Sequence, residues 1–270
     1  MGYDIVEGDD IMDINNLTFS MLKFQPTIVI HLAALSSVTA CNEDVKKAIK
    51  INGIGTRNVL NAMKLSGCNN IIYASTSAVY GDNAQLPYTE SDNTKPCSNY
   101  GISKLLGEDV IYNYFDLQMN DGSYLIYRMF NVIGTSGFKA LDHIINLEQS
   151  PIVLEASSDK IVVSDRKPHN CDRLFASLES GNIIIYGRDY PTLDGTCERD
   201  YIALKDICLA YISGINMILQ KNRVREIINI CTEIKKSVID IIEIWNNISR
   251  TLTTNRYCSR SSIVKYIWSM

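Results

Sequence analysis

The chain has 270 residues, enough for one to two domains at about 150 residues each and for a buried core. Its 26 Lys and Arg against 30 Asp and Glu leave a net charge of −4 without long like-charge blocks, which excludes a basic face for nucleic acid, and 46% hydrophobic with 21% charged residues excludes a disordered chain. The longest apolar runs fall well short of the roughly 20 residues of a membrane-crossing helix, Met1-Gly2-Tyr3-Asp4 does not open a secretion signal, and eight cysteines without a Cys-x-x-Cys pair read as reduced thiols of a cytoplasmic protein.

Residues 27–34 form a short, β-branched, largely apolar run of the kind buried on both faces of a parallel sheet, which predicts a strand. Residues 44–65 carry Val45, Ala48, Ile51, Val59, Leu60 and Met63 at helical spacing before Gly67, a C-cap residue, which predicts a crossover helix. A strand at 70–75, a helix at 100–117 and a strand at 124–129 complete a βαβαβ rhythm, and with it a doubly wound parallel α/β sheet. Farther on, 182–186 and 226–230 read as strands, and 204–220 and 237–248 as helices of a more irregular C-terminal part. Residues 134–168 show no clear period, and their structure stays open.

Chemistry concentrates at Tyr100-Gly101-Ile102-Ser103-Lys104. Residues four apart share a helix face, so the Lys104 ammonium is expected to favour the Tyr100 phenolate and draw its pKa from about 10 toward working pH. Such a tyrosine is a usable general base. Upstream, Ser75-Thr76-Ser77-Ala78-Val79-Tyr80-Gly81 follows a strand directly, and a hydroxyl at a strand's carboxyl end sits where α/β sheets bind ligands. His31, His143 and His169 are not at metal-ligand spacing, and no metal is expected.

A strand, then Ser-Thr-x-x-Val-Tyr-Gly, then Tyr-x-x-x-Lys resembles the extended short-chain dehydrogenase/reductase family, in particular its NAD-dependent nucleotide-sugar epimerases and dehydratases. The resemblance implies that Thr76, Tyr100 and Lys104 are catalytic. It implies that Leu32, Ala33 and Ala34 line the nicotinamide cofactor, that Asn52 stands on its side, that Asp10 and Ile11 contact adenine, and that Tyr100 and Lys104 also touch NAD. Arg128-Met129-Phe130-Asn131 resembles a segment meeting cofactor and sugar through Phe130 and Asn131, with Met129 replacing a tyrosine.

The stretch from Ile185-Tyr186-Gly187 through Asp194-Gly195-Thr196 to Arg199-Asp200-Tyr201 is similar to UDP-glucose 4-epimerases, where it binds the nucleotide diphosphate. An arginine there can make a bidentate, charge-assisted pair with phosphate. The implied substrate-side residues are Thr76, Asn131, Asn170, Tyr186, Arg199, Tyr201 and Tyr266. Dehydratases of the family carry an Asp-Glu pair after the threonine; here Ser77 and Ala78 stand there, so elimination lacks its acid and base and epimerisation is favoured.

The resemblance thus implies a partial Rossmann-like core over 1–135, a smaller α/β nucleotide-sugar part over 136–270 interleaved with the core sheet, NAD as cofactor and a UDP-sugar as substrate. The implied reaction interconverts UDP-glucose and UDP-galactose through a 4-keto sugar, in a homodimer paired through helices near 44–65 and 100–117. Two departures stand against it. The family's opening Gly-x-x-Gly-x-x-Gly turn, which cradles the pyrophosphate, has no counterpart, since Gly53-Ile54-Gly55 falls in helical sequence; and near Arg260 the family's Arg-x-Gly-Asp is not found. The chain therefore reads as N-terminally truncated, with a catalytically inactive remnant or nucleotide-sugar-binding module as the alternative and a relative acting on another nucleotide sugar as a third reading.

Overall fold

A computed structural model describes residues 2–5, 8–82, 86–118, 120–133, 182–186, 188–221, 223–249 and 254–258. The described elements run α1 (Ile14–Phe24), β1 (Val29–His31), α2 (Val38–Glu43), α3 (Val45–Ile49), a π-helical turn (Lys50–Gly55), α4 (Thr56–Ser66), β2 (Asn70–Thr76), a 3₁₀ turn (Ser77–Val79), α5 (Asn99–Tyr112), a second π-helical turn (Asn113–Leu117), β3 (Ser123–Met129), β4 (Asn131–Ile133), β5 (Asn182–Tyr186), β6 (Glu198–Ala203), α6 (Leu204–Gln220), β7 (Arg225–Ile230), β8 (Lys235–Ser237), α7 (Val238–Ser249) and β9 (Thr254–Cys258).

Continuous apolar sequence in β2 and β3 puts both strands at the centre of a four-stranded, all-parallel sheet of order β1-β2-β3-β7. Side chains alternate between its faces. Ile71, Tyr73, Tyr124 and Ile126 pack on one side with residues of α1, α4 and α5, including Leu17, Met21, Val59, Leu60, Met63 and Ile111. Ile72, Leu125 and Tyr127 pack on the other with Tyr211, Ile215 and Ile218 of α6. Helices on both faces of a parallel sheet make this the α/β, Rossmann-like architecture expected from the sequence.

The first strand is shorter than the predicted 27–34: its ladder ends at His31 opposite Tyr73, and Leu32 and Ala33 beyond it are exposed. The predicted helix over 44–65 is continuous but not uniformly α-helical, because the turn Lys50–Gly55 widens to π geometry and only then returns to α4, which closes on Gly67 at φ 76°. In this turn the Asn52 side chain meets the backbone of Leu35, accepting from its N–H at 2.8 Å and donating to its carbonyl at 3.1 Å. The same amide donates to Ser103 Oγ at 2.8 Å. Gly53 and Gly55 serve packing: a Cβ on Gly53 would meet Leu106, and one on Gly55 would meet Ile11.

The described residues of Met1–Phe130 and Ile207–Glu233 form one unit, and those of Asn131–Asp206 and Ile234–Ser261 another. In the second, β6 pairs in parallel with β4 and antiparallel with β8, β5 pairs with β9, and Ile133, Ile185, Tyr201, Ile241, Ile242 and Trp245 form the core. No helix among the described residues is long and apolar enough to cross a membrane.

Replacing Asn52 by Leu leaves the Leu35 N–H without its acceptor and removes one donor each from the Leu35 carbonyl and the Ser103 hydroxyl, which keep the Cys41 thiol and the Tyr100 carbonyl as partners; leaving a polar group unpaired costs about 1–3 kcal/mol. Urea unfolding of Asn52→Leu is expected to show a loss in that range or above it.

Candidate active site

Thr76 ends β2, and its hydroxyl accepts from Ala78 N–H at 3.2 Å, capping the 3₁₀ turn that leads the chain away. Helix α5 starts beside that turn, with the Ser98 hydroxyl accepting from Gly101 N–H at 3.0 Å. A Cβ on Gly101 would lie 2.5 Å from the Ala78 carbonyl, so a glycine is needed for this close approach. The approach brings Tyr100, in the first turn of α5, into hydrogen bonding with Thr76. One helical turn later Lys104 points into the same interior, only 2% exposed, with its ammonium 4.0 Å from the centre of the Tyr73 ring.

The expected lowering of the Tyr100 pKa by Lys104 is not found in the chain alone. Burial pushes Tyr100 up to about 12, against the opposing hydrogen bond from Thr76. Burial also pushes Lys104 down to about 7, with Glu108 and Cys41 acting in the other direction. A lysine that gives up much of its charge near neutrality supplies little field to the phenol beside it, and the aromatic face of Tyr73 holds what charge remains. Below this pair, His31 Nε2 lies 3.0 Å from Thr56 Oγ1, which donates to the Asn52 carbonyl at 2.6 Å. Burial, aided by the Lys104 charge, pushes His31 down to about 3, so the ring is neutral at physiological pH.

A second layer of charge lies behind Lys104. Glu108, one turn farther along α5, receives the Ser75 hydroxyl and the Arg128 guanidinium, the latter through Nη2 at 2.7 Å and Nε at 3.2 Å. Arg128 Nη1 donates to the Tyr80 hydroxyl at 3.0 Å, and that hydroxyl donates to Asn229 Oδ1 at 2.7 Å. Sequence reading passed over Glu108, although Tyr100, Lys104 and Glu108 repeat every four residues and so mark one helix face.

Thr76, Tyr100, Lys104 and Asn52 all surround the start of α5, and Leu32, Ala33 and Ala34 follow the carboxyl end of β1. Asp10 turns its carboxylate onto Met12 N–H at 2.8 Å, and the Ile11 side chain is in the core while its carbonyl accepts from Asn58 at 3.1 Å. Phe130 follows β3, with its N–H bonded to the Ile230 carbonyl at 3.1 Å. In the second unit Asn131 and Tyr201 are ladder partners; Asn131 donates to the Asp200 carbonyl at 3.2 Å, and Tyr201 is buried in the core. Arg199 stands in β6, its Nη1 donating to the Glu198 carbonyl at 3.3 Å. Tyr186 belongs to β5, whereas Asn170, Tyr266 and Arg260 lie outside the described residues.

The profile of the NAD dependent epimerase/dehydratase family matches residues 4–231. The chain belongs to that family. It is 31% identical over 218 residues to a UDP-glucose 4-epimerase of Lacticaseibacillus casei, covering 79% of this chain and 59% of that relative. Among solved structures, the UDP-glucose 4-epimerase of Brucella ovis in complex with NAD superposes with a TM-score of 0.76 at 27% identity, over 94% of this chain and 72% of that one. The UDP-glucose 4-epimerase of Stenotrophomonas maltophila with bound NAD and formylated UDP-arabinopyranose shares the fold at a TM-score of 0.78 and 24% identity, over 94% of this chain and 70% of that one. These similarities bear out the resemblance carried by the Thr76 and Tyr100–Lys104 motifs.

The depressed His31 pKa fixes a pH dependence of stability. Between about 6.5 and about 3 the unfolded histidine binds a proton that the folded one refuses, so stability is lost as pH falls through this window and is fully present above it. The thermal midpoint of the wild type is expected to fall across that window, and His31→Gln is expected to flatten the dependence.

Proposed function

We propose that the chain is a UDP-sugar 4-epimerase that works with NAD, with UDP-glucose and UDP-galactose as its pair. The observation that carries this reading is the half-buried Tyr100, hydrogen-bonded to Thr76 at the carboxyl end of a central parallel strand, with buried Lys104 one turn away. Tyr100 takes the proton of the sugar 4-hydroxyl and later returns it, while Thr76 holds the phenol in line. Because one base serves both directions, the keto sugar must present its other face between the two steps.

The chain's residues fit the nicotinamide half of the cofactor. Leu32, 60% exposed, and Ala33 offer apolar surface past β1, and Asn52, pinned by Leu35 and Ser103, fixes the neighbouring turn. Lys104 is the proposed partner of the adjoining ribose. When bound there, NAD supplies an acceptor for the hydride of sugar C4 and a positive ring that favours the Tyr100 phenolate. Asp10 and the Ile11 backbone are the candidates for adenine. For the diphosphate of the sugar nucleotide, Arg199 is the proposed partner, with Asn131, Asn170, Tyr186, Tyr201 and Tyr266 around the nucleotide and sugar.

A second reading is a protein that binds nucleotide sugar without turning it over. The chain is also proposed to pair with a second copy through the elements over 44–65 and 100–117, which expose Val45, Ile49, Ile102 and Tyr112. Incubation of the full chain with UDP-glucose and added NAD is expected to give UDP-galactose by chromatography. Tyr100→Phe is expected to lower the rate by about 10²–10⁴-fold, the usual worth of a general base. Calorimetric binding of UDP-glucose without conversion would instead favour the second reading.

A further inference from the structure

The Tyr100–Lys104 pair poses a physical difficulty: an ammonium 2% exposed tends to lose its proton. Tyr73 of β2 offers its ring, His31 of β1 is neutral, the Cys41 thiol of α2 donates to the Leu35 carbonyl at 3.4 Å, and Tyr100 keeps its proton. Glu108 is the formal anion among the groups acting on Lys104.

We propose that Glu108 is the positioning residue of this site, holding a fixed negative charge one helical turn behind Lys104 so that the buried ammonium keeps its proton. Three observations carry it. Glu108 stands four residues after Lys104 and so on the same face of α5. It is itself 4% exposed, so its field is not quenched by water. Its carboxylate is clamped by groups from two other elements, the Ser75 hydroxyl of β2 and the Arg128 guanidinium of β3. Ser75 is the neighbour of Thr76 in sequence, so the carboxylate that supports Lys104 also ties α5 to the strand bearing Thr76. The direction of the Lys104 shift agrees: Glu108 is the largest influence opposing the effect of burial.

The importance of this charge for catalysis rests on the epimerase reading, whereas its effect on Lys104 does not. The test is an NMR titration of ¹³Cε-lysine in the full chain without added nucleotide, with the Lys104 signal assigned by its loss in Lys104→Met. The wild-type midpoint is expected near 7. In Glu108→Gln it is expected to drop by about one unit or more, the usual effect of losing a close opposite charge. That variant leaves Arg128 buried without its anion and can fail to fold. The double variant Glu108→Gln/Arg128→Met removes both charges of the pair and is expected to show a smaller downward shift, because the more distant Arg128 charge that opposes Glu108 goes with it.

An unchanged Lys104 midpoint in either folded variant overturns the proposal and leaves Glu108 a purely structural partner of Arg128. If the chain turns over UDP-glucose, the alkaline limb of its pH–rate profile is expected to move down with the midpoint in the variants. A wild-type chain with no turnover counts against the epimerase reading alone, because the titration still decides the role of Glu108.

Discussion

The buried ion pair between Glu108 and Arg128 sets the terms for the rest of the site. Taking both charges from water is costly, and such a pair persists only where its remaining hydrogen-bonding capacity is satisfied. Here Ser75 and Tyr80 complete it, and through them one pair links α5 to β2, β3 and the Asn229 end of β7. These strand ends and this helix also carry Thr76, Tyr100 and Lys104. The positions of these three side chains are therefore set from behind, by polar contacts of the strands and α5, and not by the solvent-facing loops.

The electrostatics follow from the same burial. Desolvation raises half-buried Tyr100 and lowers buried Lys104, so each group is pushed toward its neutral form in the chain alone. A tyrosine in this state is a hydrogen-bond donor awaiting a positive neighbour, and in the proposed function a bound nicotinamide supplies that charge. Chemistry would then be coupled to cofactor binding, with the phenolate favoured only once the site is filled.

Much of this was legible in the sequence because it rests on local patterns. The apolar runs of β2 and β3 and the helical period ending at Gly67 each reflect a physical preference that a short window contains. The helix Leu204–Gln220 was read with the same bounds. Helix α1 was overlooked because only Leu17 and Met21 of its eleven residues are buried, while Phe19, Leu22 and Phe24 are exposed and blur the pattern. Strands β4, β6 and β8 were not read because short strands owe their existence to partners far away in sequence, such as Asn131 opposite Tyr201. The Tyr100–Lys104 spacing was visible, but its electrostatic sign was not, because burial is a property of the packed fold. Glu108 could have been found by extending the same spacing by one more turn.

The proposed function requires that Thr76, Tyr100 and Lys104 form a nicotinamide site. Its most direct test is the nucleotide content of the purified 270-residue chain: denature it, quantify released NAD and NADH against protein, and titrate NAD into the nucleotide-free chain by calorimetry. A nicotinamide site is expected to give close to one nucleotide per chain, co-purified or bound on titration, with affinity weakened in Lys104→Met. Absence of co-purified nucleotide together with no heat of binding on adding NAD would contradict it.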